Sequence, residues 1–319
     1  MLRQLVLAAA LAVPLSGAGQ AYPSKPVRIV VPYPAGSTPD IVGRTLGERL
    51  QAAFAQPFLV ENRTGAGGNI GTEAVARAAP DGHTLLVAVN GPVAINKHLY
   101  KTLPYDPDRD LQPVSLLAWA PQMLVVRAEV PAHDFDAFIR RLRSQPGKLS
   151  YASVGSGSAS HLTMELLKSE AGVSILHVPY RGFPPAVTDL LGGSIDAMFA
   201  TIPAVLPQVR AGKLRALAVT AQRRSDAAPD VPSVAELGYR QLESLAWIGL
   251  LVPSGTPPAV VSRLSEATVG GMRSAEVQEA LRRQGFEVVA GSPQEFSRWI
   301  RAESEKWARV IRESGATAD

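Results

Sequence analysis

The chain has 319 residues, 46% hydrophobic and 19% charged, with a formal net charge of +4. This composition indicates a folded protein of about two domains and argues against disorder. The absence of cysteine excludes disulfides, thiol catalysis and cysteine-ligated zinc. The Lys and Arg residues form no basic stripe typical of nucleic-acid binders, and no apolar run reaches the roughly 18 residues that span a membrane.

A hydrophobic leader opens the chain. Arg3 precedes an apolar run at residues 5–15, and the small residues Gly19 and Ala21 follow. Because this is the pattern of a secretory signal and its peptidase site, residues 1–21 are predicted to be a signal peptide cleaved after Ala21. An exported chain without cysteine or a membrane anchor is expected in the bacterial periplasm.

Strands alternate with helices along the first third of the mature chain. The β-branched run at residues 27–31 predicts a buried strand, and apolar residues near helical spacing predict a helix at 40–54. Further strands are predicted at 58–60 and 84–89, with a helix at 71–79 between them. Because helices follow strands in this order, we expect right-handed βαβ units on a parallel sheet.

The middle of the chain repeats this pattern. His133 and Asp134 are predicted to begin a helix whose apolar face includes Phe135 and Phe138, and another helix is predicted at 160–171. The predicted strands lie at residues 123–126, 149–154, 175–179, 195–199 and 214–219.

The last part of the chain begins with a predicted strand at 245–252. Thr256 is predicted to cap the next helix, with Pro257 at its first position. Ser292 and Glu295 have the spacing of a capping box and are predicted to begin the final helix. The apolar stripe of that helix is expected to pack in the core.

Two hydrophobic strand-like segments, 114–126 and 245–252, flank the middle block. A chain that leaves one lobe and later returns to it is typical of a two-lobed α/β protein with paired hinge strands. We therefore assign 22–121 together with 248–319 to lobe 1, and 122–247 to lobe 2.

The sequence lacks several common catalytic and metal-binding motifs. The chain has no Walker A lysine motif, no Gly-x-Ser-x-Gly elbow and no His-Glu-x-x-His, and none of its five histidines pairs with another at helical spacing. We therefore expect no metal and no cofactor. Ser158 and His161 are close enough to leave an exported hydrolase open as an alternative, although catalysis would also need an orienting acid and an oxyanion hole.

A Gly/Ser loop recurs between a strand and a helix start, at residues 33–38, 65–69 and 153–160, and in weaker form at 180–183. Glycines let backbone N–H groups approach a ligand, and a helix N-terminus adds unpaired donors and about half a positive charge. In open α/β sheets, ligands bind outside the carboxyl ends of the strands, where these loops lie. The loops therefore predict a cleft that binds a carboxylate without Arg or Lys.

Several segments, in the same order along the chain, resemble the substrate-binding proteins of tripartite tricarboxylate transporters, the Bug family. The resemblance covers essentially the whole mature chain. The segments are residues 33–40 (YPAGSTPD), 61–71 (ENRTGAGGNIG), 80–86 (PDGHTLL), 151–158 (YASVGSGS) with His161 and Leu162, 178–182 (VPYRG), and 244–249 (SLAWIG) with Trp247.

The resemblance implies a Venus-flytrap (type II periplasmic-binding-protein) fold, with two α/β lobes, two crossing strands and a ligand cleft between the lobes. It also implies that main-chain N–H groups and bridging waters hold a small carboxylate. Departures from the usual family residues at Ala35, Ser37, Thr64, Phe183 and Ala200 bear on the ligand rather than on the fold. The loop residues implied to bind are Tyr33, Ala35, Gly36, Ser37, Thr38, Gly65, Ala66, Gly67, Ser153, Gly155, Gly157 and Ser158.

Six further residues are candidates for the site: Asp40, Asn90, His161, Tyr180, Arg181 and Phe183. Asp40 either stabilises its helix start or acts through cleft water, and His161 either braces the cleft loop or belongs to the scaffold. Arg181, beside Tyr180, either contacts a second carboxylate or forms a surface ion pair. Phe183 either walls the pocket or packs in the core, and Asn90 ends a strand where its amide could reach a ligand.

The sequence thus predicts a periplasmic solute-binding protein that captures a small organic carboxylate. We expect it to deliver this ligand to the membrane permease subunits of a tripartite tricarboxylate-type transporter. We expect a monomer with no nucleic-acid partner and no catalytic activity. A periplasmic sensor of the same fold stays open as an alternative.

Overall fold

The computed structural model describes residues 22–318, so the predicted signal peptide lies outside the described residues. None of the helices in this range is long and apolar enough to cross a membrane. The strands are β1 (Val27–Val31), β2 (Phe58–Asn62), β3 (Thr84–Val89), β4 (Leu111–Arg127), β5 (Ser150–Ser153), β6 (Leu176–Pro179), β7 (Ala197–Thr201), β8 (Leu214–Val219), β9 (Leu245–Pro253) and β10 (Glu287–Val288).

Helices follow most of these strands. They are α1 (Thr38–Phe54), α2 (Asn69–Ala76), α3 (Asn96–Leu99), α4 (Pro107–Asp110), α5 (Phe135–Ser144), α6 (Ala159–Ala171), α7 (Phe183–Gly192), α8 (Ile202–Arg210), α9 (Pro258–Met272), α10 (Ala275–Arg283) and α11 (Pro293–Ser314). Shorter turns of 3-10 or π helix occupy Ala66–Gly68, Gly91–Ile95 and Arg240–Leu242.

The strands form two half-sheets that share β4. In the first half-sheet β1 runs parallel to β2 and β3, and β9 runs antiparallel to both β3 and β4. In the second, β5 runs parallel to β6 and β7, and β4 runs antiparallel to β7 and β8. The predicted parallel βαβ units are therefore present in both halves, and antiparallel strands join them.

The joint between the halves lies within β4, which runs for 17 residues without interruption. Its segment from Leu111 to Pro121 pairs with β9, and from Gln122 onward it pairs with β7 and β8. Leu245, at the start of β9, lies opposite Pro121. The chain thus passes between the two α/β lobes at adjacent positions, as expected for paired hinge strands, and the exact lobe boundaries stay predictions.

Alternating side chains on the strands build a separate core on each face of the first half-sheet. On β1, Val27, Ile29 and Val31 pack with the residues of α1, α9 and α10, whereas Val30 packs on the opposite face with Phe296 of α11. This alternation is what the two-residue period of a strand dictates. The second half-sheet is covered in the same way, with Phe135, Phe138 and Leu162 on one face and Phe183, Ala186 and Leu190 on the other.

Several helix starts differ from the sequence prediction by one or two residues, including α2, which begins at Asn69 rather than at residue 71. Helix α1 begins at Thr38 rather than at residue 40, because Pro39 is acceptable in a first turn that needs no donor from it. Helix α9 begins at Pro258, and the Thr256 hydroxyl donates to the Pro253 carbonyl at 2.7 Å instead of capping the helix. The predicted capping box of Ser292 and Glu295 is present at the start of α11.

Helix α11 packs against both lobes. Its first half places Phe296 edge-on against Trp247 in the first half-sheet, with ring centroids 5.5 Å apart, whereas its second half inserts Trp307 into the core of the second. Between them the buried Glu303 carboxylate accepts the indole N–H of Trp247 at 3.1 Å and that of Trp307 at 3.0 Å. One carboxylate oxygen thus ties β9 to the last helix.

Replacing Glu303 should therefore destabilise the protein strongly. Glu303→Ala leaves two buried indole N–H groups without an acceptor, and we expect a loss of about 2–4 kcal/mol in the free energy of unfolding. Glu305→Ala, on the exposed side of the same helix, is the matched control and should change stability by less than about 0.5 kcal/mol. Urea denaturation measures both, and equal midpoints for the two variants would contradict the assignment.

Candidate ligand-binding site

A cavity of about 40 Å³ lies between the lobes, at the carboxyl ends of β1, β3, β5, β6 and β7. This is where open α/β sheets bind their ligands. The cavity is lined by Tyr33, Ser37, Thr38, Pro39, Val89, Asn90, Gln122, Val154, Ser158, Ala159, Ser160, Gly182, Phe183, Thr201, Ala246 and Ile248. We call it the interlobe cavity.

Four helices begin at the wall of the interlobe cavity. Ser37, Ser158, Gly182 and Thr201 are the cap residues of α1, α6, α7 and α8 respectively, and all four line it. Each helix start carries about half a positive charge. The unpaired N–H donors are fewer than usual, because α1 and α8 each have one proline in the first turn and α7 has two. No Asp, Glu, Lys, Arg or His is among the lining residues, so helix ends set the potential there. The arrangement attracts an anion.

The Ser37 hydroxyl is buried and has no hydrogen-bond partner, although it occupies the cap position of α1. Ser158 differs, because its hydroxyl accepts the His161 backbone N–H at 3.3 Å and contacts the Ser160 hydroxyl at 3.0 Å. The Thr201 hydroxyl bonds to that of Thr38 at 2.8 Å, which links the two lobes directly. The α1 end of the cavity therefore has a free polar group.

Asp40 lies behind the loop at residues 33–38 rather than in the cavity wall. Its carboxylate accepts the Gly36 N–H at 2.8 Å, the Asn62 amide at 2.8 Å and the Arg44 guanidinium at 3.0 Å. Burial alone would raise the pKa of Asp40, but these three hydrogen bonds together hold its pKa below the usual value. Asp40 braces the loop, and the exposed Ala35 and Gly36 form its outer turn.

A second cavity of about 50 Å³ adjoins the first and shares Tyr33 and Val154 with it. Five residues that the sequence analysis placed in the site line this second cavity and not the first: Gly65, Ala66, Gly67, Tyr180 and Arg181. The Tyr33 hydroxyl donates to the Gly67 carbonyl at 2.9 Å, so the wall between the cavities is held in place. The Tyr180 hydroxyl donates to Asp189 at 2.7 Å.

The glycines of the two lobes meet each other across the cleft. A Cβ atom at Gly67 would lie 3.0 Å from the Ser156 carbonyl oxygen, and one at Gly155 would lie 3.5 Å from the Gly67 Cα. A Cβ at Gly91 would lie 3.4 Å from the Gly157 carbonyl oxygen. Gly155 and Gly157 line neither cavity; with Gly67 and Gly91 they form a contact between lobes that we call the glycine seam.

His161 and Ser153 make contacts that hold the loop at residues 153–158 in place. The His161 Nδ1 atom accepts the Gly157 N–H at 3.2 Å, and its ring stacks on His177 with centroids 4.1 Å apart. Burial lowers the pKa of His161 to about 3, so the imidazole is neutral. The Ser153 hydroxyl contacts His177 Nε2 at 2.6 Å. The His161 ring thus faces the Gly157 amide, and the Ser158–His161 pair of the hydrolase alternative is not formed.

Asn90 and Phe183 line the interlobe cavity, and the Asn90 amide donates to the Leu245 carbonyl at 3.2 Å. Gln122 and Thr201 also line it, although neither is among the residues that the sequence patterns indicate. Thr201 follows a predicted strand and precedes a helix, a signal that could have identified it. Gln122 is a lone amide within an apolar strand, and only the pairing of β4 with β7 places it in the wall. Among residues 22–318, no group of three or more His, Asp or Glu side chains could hold a metal ion.

Two α/β lobes joined by crossing strands, with an anion-attracting cavity between them, define a solute-binding protein. Residues 42–316 match the model of a family described as "Tripartite tricarboxylate transporter family receptor". The chain belongs to this family, the TctC or Bug family of periplasmic solute-binding proteins. Because the family consists of receptors, the prediction that the chain is not an enzyme is confirmed.

Relatives support both the family and the fold. Protein BugT of Bordetella pertussis is 38% identical over 98% of this chain and 95% of its own length. The structure "R. palustris Rpa4515 with adipate" is 34% identical with a TM-score of 0.90, covering 93% of this chain and 99% of that one. "MatC (Rpa3494) from Rhodopseudomonas palustris with bound malate" is 33% identical with a TM-score of 0.87, covering 91% and 100%. The predicted two-lobed fold is confirmed.

Substitution at the glycine seam should weaken ligand binding by obstructing lobe contact. We expect Gly67→Ala to lower the affinity for a bound carboxylate at least about tenfold, because its Cβ meets a backbone carbonyl of the other lobe. Gly172→Ala is the matched control, since Gly172 has φ of 62° against 63° for Gly67 and a Cβ there would have no atom within 4 Å. The positive φ should cost both variants similar stability, and the Gly67 variant should lose somewhat more because its Cβ also lies 3.1 Å from the Tyr100 hydroxyl. Calorimetric titration measures affinity. Equal affinities would contradict the seam.

His161 should make the protein less stable at acidic pH. The folded pKa of about 3 lies below the ordinary 6.5, so between these values the unfolded chain binds more protons. Stability should then fall as pH decreases from about 6.5 towards 3, by at most about 1.4 kcal/mol per pH unit for this one group. Denaturation at pH 7, 5.5 and 4 measures this change in the free energy of unfolding. His161→Gln should flatten the dependence, whereas His133→Gln, on an exposed residue, should not.

Proposed function

We propose that this protein captures a small organic carboxylate in the interlobe cavity and delivers it to the membrane permease subunits of a tripartite tricarboxylate-type transporter. The observation that carries the proposal is the meeting of four helix N-termini at a cavity whose lining has no charged side chain. Unpaired backbone N–H groups bind an anion there without Arg or Lys. Ser37, Thr38, Ser158 and Thr201 surround the bound carboxylate.

The relatives support this class of ligand. Adipate and malate, named for the two R. palustris structures, are both dicarboxylates. A dicarboxylate that extends past Tyr33 and Val154 would enter the second cavity, where the exposed guanidinium of Arg181 forms part of the wall. Arg181 is thus the residue we assign to a second carboxylate, with a bidentate contact as the geometry that guanidinium favours.

Two further observations support delivery of the ligand to permease subunits and location of the protein in the periplasm. The family description names a transporter receptor, which supports transfer of the ligand to permease subunits rather than to a sensor. The signal peptide predicted at residues 1–21 supports export to the periplasm, where a monomer would bind its ligand and close its lobes by hinge motion. Co-purification of the ligand-bound protein with a sensor kinase ectodomain instead of permease subunits would favour the sensor alternative.

The carboxylate assignment is tested by thermal denaturation of the protein from Tyr22 to Asp319, refolded to remove any co-purified ligand. We expect one or more mono-, di- or tricarboxylates to raise the melting temperature by several degrees at about 100 times Kd, since this adds about 2.7 kcal/mol. The primary amide of the same acid is the matched control and should give no shift. A shift from the amide alone, or none from any acid, would overturn the proposal.

The salt dependence of the same binding separates helix dipoles from surface charge. Because no Lys or Arg lines the interlobe cavity, the Kd of a monocarboxylate hit should change by less than about threefold between 50 and 500 mM NaCl. A dicarboxylate should be more sensitive, because Arg181 is exposed to solvent. A steep loss of monocarboxylate affinity would place the anion on surface cations instead.

A further inference from the structure

A buried amide lies on the lobe 1 side of the glycine seam. The Asn96 side chain, at the start of α3, is fully buried and packs against Gly157 of lobe 2. A Cβ atom on Gly157 would collide with the Asn96 Oδ1 atom and would lie 2.9 Å from the Cδ2 methyl of Leu99. A Cα–H bond of Gly157 therefore points at the Asn96 amide.

One end of the Asn96 amide has a hydrogen-bond partner. Its Nδ2 atom donates to Asn69 Oδ1 at 2.5 Å, and the Tyr105 hydroxyl contacts the same oxygen at 3.0 Å. The Tyr105 hydroxyl also donates to the Pro92 carbonyl at 2.8 Å. All four residues belong to lobe 1, so this network does not depend on the contact between the lobes.

The other end of the amide has no partner. The Asn96 Oδ1 atom is buried, makes no hydrogen bond and faces the Gly157 Cα–H group. A Cα–H group is at most a weak donor and does not replace a water molecule. If the Asn96 and Asn69 amides were both turned over, an NH₂ group would face the same Cα–H, which accepts nothing. In either orientation the seam covers a polar group and gives it no partner.

Opening of the cleft would change the surroundings of this amide. Gly157 belongs to lobe 2 and would move away with it, so that water could reach Asn96 Oδ1. On closing, the oxygen loses that water and gains no hydrogen bond in return, which costs free energy. Asn96 therefore disfavours lobe contact, whereas the hydroxyl pair of Thr38 and Thr201 favours it.

We propose that Asn96 opposes closure of the empty cleft, so that the unliganded protein stays open and ligand binding supplies the free energy that closes the lobes. The apparent affinity of a two-state protein falls with the population of its binding-competent state. Asn96 thus lowers the ligand affinity although it lines neither cavity. The inference rests on the proposed function for its effect on affinity, whereas its effect on the lobes is measurable without a ligand.

Replacing Asn96 by an apolar residue of similar shape tests this inference. Asn96→Leu buries a methyl on closing instead of an unpaired oxygen, and the lost bond to Asn69 cancels because it lies within one lobe. We expect more closed molecules without ligand and about 5- to 30-fold tighter binding of a carboxylate found in the thermal screen. Calorimetric titration measures the affinity. Spin labels at Glu48→Cys and Arg140→Cys, which are exposed sites on different lobes of a chain without cysteine, measure closure.

Two further variants separate the seam from the network behind it. Tyr105→Phe is the matched control, because it removes a hydroxyl from the same buried network and leaves the seam unchanged. It should lower stability but keep the closed fraction and the affinity within about twofold of the unaltered protein. Asn96→Ala removes the unpaired oxygen without adding bulk beside Gly157, and we expect it to bind at least about twofold more tightly.

The outcomes distinguish this inference from the proposed function. If both Asn96 variants leave the closed fraction unchanged or bind more weakly, the role of Asn96 is wrong and carboxylate capture stands. If no carboxylate binds in the thermal screen, the proposed function fails, and the label distances still decide the inference. If neither variant folds, the labelled protein with Asn96 in place decides alone. An open cleft without ligand then supports the inference, and a closed one overturns it.

Discussion

The antiparallel pairing of β4 with β9 is the constraint on which the rest of the structure depends. It runs from Leu111 opposite Pro253 to Pro121 opposite Leu245, and β4 then continues into the second half-sheet without a break. Because one strand belongs to both half-sheets, the carboxyl ends of the parallel strands in each lobe face the same cleft. The helices that follow those strands therefore begin at a common cavity.

This geometry gives the cavity a positive potential from the backbone rather than from charged side chains. Helix ends of like polarity repel each other, and a bound carboxylate would relieve that repulsion while side chains such as Asp40 hold the loops from behind. The sequence pattern suggested that the glycines let backbone N–H groups approach a ligand, whereas in the structure several of them lie at the contact between the lobes. Gly67 allows the two backbones to approach, because a Cβ atom there would lie only 3.0 Å from the Ser156 carbonyl oxygen, and Gly155 adopts a positive φ of 118° opposite it.

Features set by local sequence were predictable, and those set by distant pairing were not. The strands at 27–31 and 84–89 agree with prediction because buried β-branched runs leave little alternative, and the capping box of α11 depends on residues three apart. The loop at residues 33–38 is predictable as part of the cleft from its Gly/Ser pattern between a strand and a helix start. Gln122 is not predictable as part of the cleft from local sequence, because its neighbours in sequence are apolar. Its partners Thr163 and Ser244 lie 41 and 122 residues away.

Helix α11 gives the hinge a third connection besides β4 and β9. Two adjacent strands alone would permit the lobes both to bend and to twist about the joint. Helix α11 packs on the strands across the joint, with Phe296 in one lobe, Trp307 in the other and the Glu303 carboxylate between two indoles, and so resists twisting. We therefore expect any hinge motion to be mainly a bend, which would bring the same helix ends to the same point whenever the cleft closes.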